Sequence, residues 1–267
     1  MGFKDLNFIR IQDFRLIPRY LMEQVKGSDA EIDRILQYNF AKDPLTLLYA
    51  LADDQNKIKG FLWAGVDVFE QCLEICDLKV EDGFEVTEQE AVEFLLSQAK
   101  NTGLKNKVIT QDNKPSVRIK IWNSDVNDLV EIAEKWADDV ADNEFNIEVK
   151  AQNHLQDLRK LILSNGSDLL VLTKDDKPVG YIGLKTFCNP LGQRLIANEH
   201  YWYVLPEFRG IASVKLIKAA DKWAKWQGCS HIILNASNLA GDMHDKVCEF
   251  YEKMGMKKFE TSYIKEL

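Results

Sequence analysis

The feature that most constrains this chain is an internal echo. In the second half, SDLLVLTKDDKPVGYIGLKTF reads as two strands, with apolar runs Leu169–Leu172 and Val179–Leu184 flanking the polar turn Lys174-Asp175-Asp176-Lys177-Pro178. In the first half, PLTLLYALADDQNKIKGFLWAGVDV has the same layout around Asp53-Asp54-Gln55-Asn56. A third strand-like stretch follows each pair, LEICDLKV and NEHYWYVL. Next comes an amphipathic helix stopped by glycine: Thr87–Thr102 before Gly103, and Ser213–Gln227 before Gly228. Short strands at Lys107–Thr110 and His231–Asn235 close the pattern. The order strand, strand, strand, helix, strand thus occurs twice, roughly 120–125 residues apart, a spacing that fits duplication of a whole domain rather than a solenoid.

This alternation predicts an α/β (α+β) class, with two tandem domains that each hold a mixed, mostly antiparallel twisted sheet flanked by helices. A length of 267 residues suits two domains. The polar run Gln111–Ser116 marks the boundary, giving 1–113 and 114–267. Helices are expected ahead of each hairpin: Leu16–Val25 and Ala30–Phe40 in the first half, Val126–Val140 and Leu155–Leu163 in the second. Ser124 or Asp125 is the expected cap of the third of these. The halves differ at their ends. The second continues with a helix, Met243–Met254, then Gly255 and two strand-like stretches, KKFET and SYIKEL; the first runs from Lys107–Thr110 almost at once into Val117–Trp122.

A net charge of -8 argues against nucleic acid as a main partner and favours cationic ones, amines included. Lys215, Lys218, Lys222 and Lys225 have the spacing of a solvated helix face. No apolar run approaches the ~20 residues of a membrane span. The opening MGFKDLNFIRIQ lacks a signal-peptide block, so a cytoplasmic protein without a membrane role is expected. Cys72 and Cys76 have no second ligand pair, which argues against a metal site. On a regular strand both would share one face as buried free thiols.

The segment WYVLPEFRGIASVKLIKAADKWAKWQG ends a strand at Val204, turns at Pro206-Glu207-Phe208 and opens a helix with Arg209-Gly210. Downstream stand Phe250-Tyr251-Glu252-Lys253 and Gly255. These motifs, in this order from about Val117 to Leu267, resemble the GNAT N-acetyltransferase superfamily. The closing Glu260-Thr261-x-Tyr263-x-Lys265-x-Leu267 resembles GNAT domains encoded by phages. The first half then reads as a degenerate GNAT-like copy without chemistry. It has no Arg-Gly, and Glu81, Asp82 and Glu85 stand where phosphates would sit.

The resemblance implies acetyl-coenzyme A as cofactor. Main-chain amides of Gly210, Ile211, Ala212 and Ser213 would meet its diphosphate beside the charge of Arg209, and its arm would lie along Tyr203-Val204-Leu205 like an added strand. The family places Gly or Ala at the fourth and sixth positions counted from the Arg, here Ala212 and the branched Val214. Tyr251 matches the family's tyrosine that protonates the departing thiolate. For the base, strand alternation sends Glu199, Tyr201 and Tyr203 to one face and His200, Trp202 and Val204 to the other; members often use a carboxylate here, which selects Glu199. The N–H of Val204 or Leu205 would meet the oxyanion. His244, where many members carry Asn, either contacts the cofactor's arm or caps its helix. The expected activity is acetyl transfer to a primary amine of a small molecule or protein, by a monomer or homodimer. The alternative is a catalytically inactive GNAT-fold binding or structural module.

Overall fold

In the structure, a computed structural model that describes residues 6–11, 17, 46–100, 102–110, 112–122, 124–189, 192–240 and 243–265, each polar turn joins two antiparallel strands. The helices expected at Leu16–Val25 and Ala30–Phe40 lie outside these residues, apart from Ile17. The chain divides into two units, Met1–Lys114 and Pro115–Leu267.

The first unit holds β1 (Asn7–Ile11), β2 (Thr46–Ala52), β3 (Ile58–Asp67), β4 (Cys72–Val80), α1 (Glu88–Ala99) and β5 (Val108–Ile109). Its sheet runs in chain order, β1 to β5, antiparallel except for the last, parallel pair. A parallel pair needs a crossover, and α1 supplies it. The apolar face of α1, Ala91, Leu95 and Ala99, packs with Tyr49, Leu62, Ala64, Leu73 and Ile75. Burying a side chain such as Leu95 stabilises the fold by about 1.5–3 kcal/mol.

The second unit holds β6 (Val117–Ile121), α2 (Val130–Ala141), α3 (Ala151–Leu163), β7 (Ser167–Lys174), β8 (Lys177–Asn189), β9 (Arg194–Val204), α4 (Ile211–Trp226), β10 (His231–Ile233) and α5 (Met243–Lys253). Its sheet also runs in chain order, β6 to β10, antiparallel except for the parallel pair β9–β10. Asp175 and Asp176, at φ of 48° and 65°, make the two-residue turn whose twist matches a hairpin. A 3-10 turn at Val126–Leu129 leads into α2, and Asp125 caps it by accepting from the Asn127 N–H.

Both sheets carry bulges at matching places. The extra residue is Lys59 on β3 and Val179 on β8, then Cys76 on β4 and His200 on β9. A bulge sets two residues against one and reverses the alternation beyond it. Two expectations fail for this reason. Cys76 is exposed while Cys72 is buried, so the two thiols do not share a buried face. Glu199 parts from Tyr201 and Tyr203, because it pairs with Leu184 while Tyr201 pairs with Gly183.

The two faces of the second sheet can be told apart. A Cβ at Gly183 would meet Leu161 of α3, whereas Asp168, which pairs with Leu184, accepts the indole N–H of Trp223 of α4 at 2.7 Å. Tyr201 and Tyr203 thus face the α2–α3 layer, and Glu199 and Trp202 face the α4 side.

The closing stretches KKFET and SYIKEL do not form strands over residues 257–265. Phe259, Tyr263 and Ile264 are exposed, so this segment buries no apolar face against the three-residue edge strand β10. No helix among the described residues is long and apolar enough to cross a membrane.

Candidate active site

β10 accompanies β9 only from Ile196 to Asn198; beyond that point the two strands part while β9 continues to Val204. At the parting, side chains replace the ladder. The Asn235 N–H donates to Glu199 Oε2 at 2.9 Å, and Asn235 Nδ2 donates to the Glu199 carbonyl at 2.8 Å. The Tyr251 hydroxyl, from α5, donates to the Asn235 carbonyl at 3.2 Å and lies 3.4 Å from Glu199 Oε2. Glu199 and Tyr251 are each only 7% exposed.

Burial pushes the Glu199 carboxyl up to about 7, although the hydrogen bonds from Asn235 and Tyr251 favour its charged form. Burial, and then the negative charge of Glu199, push the Tyr251 phenol up as well. A buried carboxyl poised near neutrality beside a protonated phenol is equipped to accept and return protons. Trp202 lies with its ring centroid 5.9 Å from that of Phe250 and 5.8 Å from that of Tyr251. Its indole Nε1 is buried without a hydrogen-bond partner.

The end of β9 shows which main-chain groups are available. The Leu205 N–H donates to the Val179 carbonyl at 3.0 Å, and Val204 pairs with Gly180. This makes Val204 a non-hydrogen-bonded pair member, so its N–H and C=O point away from β8. Of the two amides expected to face an oxyanion, Leu205 is therefore committed to the sheet and Val204 faces the parting.

Past the turn at Pro206–Phe208, Gly210 caps α4 at φ 95°, a conformation strained for residues with a Cβ. No side chain caps the helix, its first turn holds no acidic residue, and nothing lies within 4 Å of where a Gly210 Cβ would stand. The first helical bond runs from the Val214 N–H to the Gly210 carbonyl, so the amides of Ile211, Ala212 and Ser213 precede the ladder.

Arg209 turns back from this seat. Its Nε donates to the Val204 carbonyl at 2.9 Å, and its guanidinium meets Asp139 of α2 at 3.1 Å. Tyr203 donates to the same Asp139 carboxylate at 2.6 Å, and Lys135 pairs with it at 3.0 Å. Partial burial opposes ionisation of Asp139, but the bonds from Tyr203, Lys135 and Arg209 prevail and hold its carboxyl below the usual range. Beside it, His154 hydrogen-bonds Tyr181, stacks on Trp136 at 4.1 Å, and is lowered to about 4 by burial.

His244 stands in the first turn of α5 with its Nδ1 3.0 Å from Asp245 Oδ1. His200 is exposed at the β9 bulge.

Glu199, Trp202, Val204 and Tyr251 are thus brought to one parting of strands, with Gly210, Ile211, Ala212 and Ser213 at the helix start beyond it. Asn235 and Asp139 escaped the sequence reading. Asn235 sits past a short strand with no motif around it, and Asp139 looks like one more solvated charge four residues after Lys135.

In comparisons with known proteins, residues 129–256 match the family model described as the acetyltransferase (GNAT) family. No curated protein matches the chain at a significant level. Among solved structures, an acetyltransferase of Trypanosoma brucei is 19% identical and covers 57% of this chain and 99% of its own, with a TM-score of 0.43. A ribosomal-protein-alanine N-acetyltransferase of Brucella melitensis is 17% identical over 57% of this chain and 100% of its own, with a TM-score of 0.45. A GNAT family acetyltransferase of Staphylococcus aureus is 18% identical over 57% and 100%, with a TM-score of 0.41. The stretch from Leu129 to Met256, which holds the strand parting and the uncapped helix, is thus a GNAT acetyltransferase domain.

Proposed function

We propose that the chain is an acetyl-coenzyme A-dependent N-acetyltransferase that acetylates a primary amine of a small molecule or protein. In this reading residues 114–267 carry the chemistry, and residues 1–113 are a degenerate, non-catalytic GNAT-like copy. The observation that carries it is the placement of Glu199, Tyr251 and the uncapped turn at Gly210 along the part of β9 that β10 leaves open.

The residues present fit the cofactor. The amides of Gly210, Ile211, Ala212 and Ser213 offer an anion seat at a positive dipole end, and Gly210 leaves it clear of a Cβ. The Val204 N–H, flanked by Tyr203 and Leu205, offers main-chain edge to an extended arm. His244 lines that arm from α5, and the unpartnered indole N–H of Trp202 remains to be satisfied. When bound, acetyl-coenzyme A supplies an activated acetyl thioester.

An acceptor amine with a pKa near ~10.4 must lose a proton before it can attack. Glu199 takes that proton, directly or through water, while the Val204 N–H faces the carbonyl oxygen. Tyr251 gives a proton to the departing sulfur. Its 3.4 Å contact with Glu199 offers a route by which the phenol is recharged. Arg209 acts chiefly by fixing the turn through Val204 and Asp139, and its charge adds to the field.

At a cofactor concentration of 100 times Kd, the full-length chain should gain about 2.7 kcal/mol of stability. Arg209→Glu should lose most of that gain while keeping its fold. Undiminished binding would remove the diphosphate assignment. The second reading, a GNAT-fold module without turnover, is favoured by Val214 and by the engagement of Arg209 with Asp139. Cofactor binding without acetylation of any amine tested would support it.

A further inference from the structure

Past Ile233, β10 leaves β9 by an exchange of donors. The Ser230 N–H donates to the Leu195 carbonyl at 2.8 Å, so a ladder continued in register would bring the Leu234 N–H to the Glu199 carbonyl. That carbonyl takes its bond from the Asn235 side chain instead, with Nδ2 at 2.8 Å. The longer reach of a side-chain amide spreads the two strands. It also leaves the Asn235 N–H to donate to Glu199 Oε2 at 2.9 Å. The Asn235 carbonyl in turn accepts from the Tyr251 hydroxyl at 3.2 Å. One residue thus holds the backbone of Glu199, its carboxylate and the phenol beside it. Asn235 is itself exposed, so its contribution is these bonds rather than core packing.

We propose that Asn235 is a positioning residue that keeps the strands apart at Glu199 and holds the carboxylate ready to accept a proton. The inference rests on Glu199 acting as the base, as proposed above. The bonds from the Asn235 N–H and from Tyr251 favour the charged carboxylate, and burial opposes them. The other elements around Glu199 add little charge. β8 presents the apolar Leu184, and Asp168 of β7, on the same face, accepts from the Trp223 indole of α4 at 2.7 Å. From α5, the Cys248 thiol acts on Tyr251. Without the Asn235 side chain, the main chain is drawn to the Glu199 carbonyl, and the carboxylate loses its N–H donor.

The test begins on the full-length chain without cofactor. The titration midpoint of Glu199 is read from its carboxyl carbon-13 resonance, assigned by its loss in Glu199→Gln. The midpoint should lie near 7 in the wild type. It should rise by about one unit in Asn235→Ala, the worth of one hydrogen bond to a charged group. Asn235→Asp, which keeps the shape but donates nothing, should raise it at least as far. In both variants kcat/KM should be about 10-fold below wild type at pH 6 and within about twofold of it at pH 9, with coenzyme A affinity unchanged. A merely structural role would lower stability in urea and leave the midpoint in place. An unmoved midpoint in both variants overturns the proposal and leaves the N-acetyltransferase reading standing. A moved midpoint in a chain whose wild type acetylates no amine upholds the hold of Asn235 on the carboxylate and removes that reading.

Discussion

Beside Val80 and beside Val204 the two sheets are built alike. Gly60 and Gly180 stand opposite these valines, and a Cβ at either would meet main chain, the carbonyl of Lys79 or that of Tyr203. The next residue of each strand, Glu81 or Leu205, donates its N–H to the bulged residue across the pair, Lys59 or Val179. A few residues away the units diverge. Where β9 places Glu199 opposite Leu184, β4 places Ile75 opposite Ala64, and Ile75 is part of the core under α1. The start of α4 is left open by Gly210. The start of α1 is closed by a capping box, in which the Thr87 hydroxyl accepts from the Glu90 N–H and the Glu90 carboxylate accepts from the Thr87 N–H. Among the described residues, no helix follows β5 before β6, so the first unit has no counterpart of α5 and its tyrosine. Pairing, bulges and crossover thus recur in both units, while among the described residues the buried carboxylate on the third long strand and the uncapped helix start belong to the second.

The largest expected effect tests the carboxylate against its apolar counterpart. Glu199→Gln should lower kcat by about 10²–10⁴-fold with cofactor affinity little changed. Ile75→Gln should leave kcat intact and cost about 3 kcal/mol of stability, seen in urea unfolding. An equal loss of kcat in both would erase the distinction between the units. Next comes the helix start: Gly210→Asp, which adds a strained Cβ and a negative charge, should weaken coenzyme A binding about 100-fold by calorimetry. Tyr251→Phe should slow turnover about 10-fold or more at unchanged cofactor affinity, and an unchanged rate would remove the phenol from the mechanism.

A smaller effect is on stability. The folded-state pKa of Glu199, about 7, lies above its ordinary 4.5 because the side chain is buried. The folded chain therefore holds a proton that the unfolded chain releases between these values. Stability should fall by about 2–4 kcal/mol as pH rises through that window, and Glu199→Gln should flatten the fall. Smallest is the first unit's cap: Thr87→Ala should cost about 1 kcal/mol and leave coenzyme A binding untouched.

Much of the scaffold was legible. Alternating runs located β2 to β4 and β7 to β9, and glycine stops closed α1 and α4, because these signals are local. The motif around Arg209 and Tyr251 located the open turn and α5. What escaped depends on partners. The bulges at Cys76 and His200 exist only as two residues against one on a neighbouring strand, so alternation alone put Glu199 on the wrong face. β1 is too short and half-exposed to stand out. Residues 257–265 have strand-like composition, yet a strand also needs an edge to pair with, and they form none. Asn235 and Asp139 gain their roles from residues 36 and 70 positions away, Glu199 and Arg209.

The most direct measurement is the stoichiometry of coenzyme A binding to the full-length chain by calorimetric titration. The open start of α4 and the closed start of α1 together predict one site per chain, weakened about 100-fold in Gly210→Asp and unchanged in Thr87→Ala. Two sites, none, or a single site indifferent to Gly210→Asp would contradict that account.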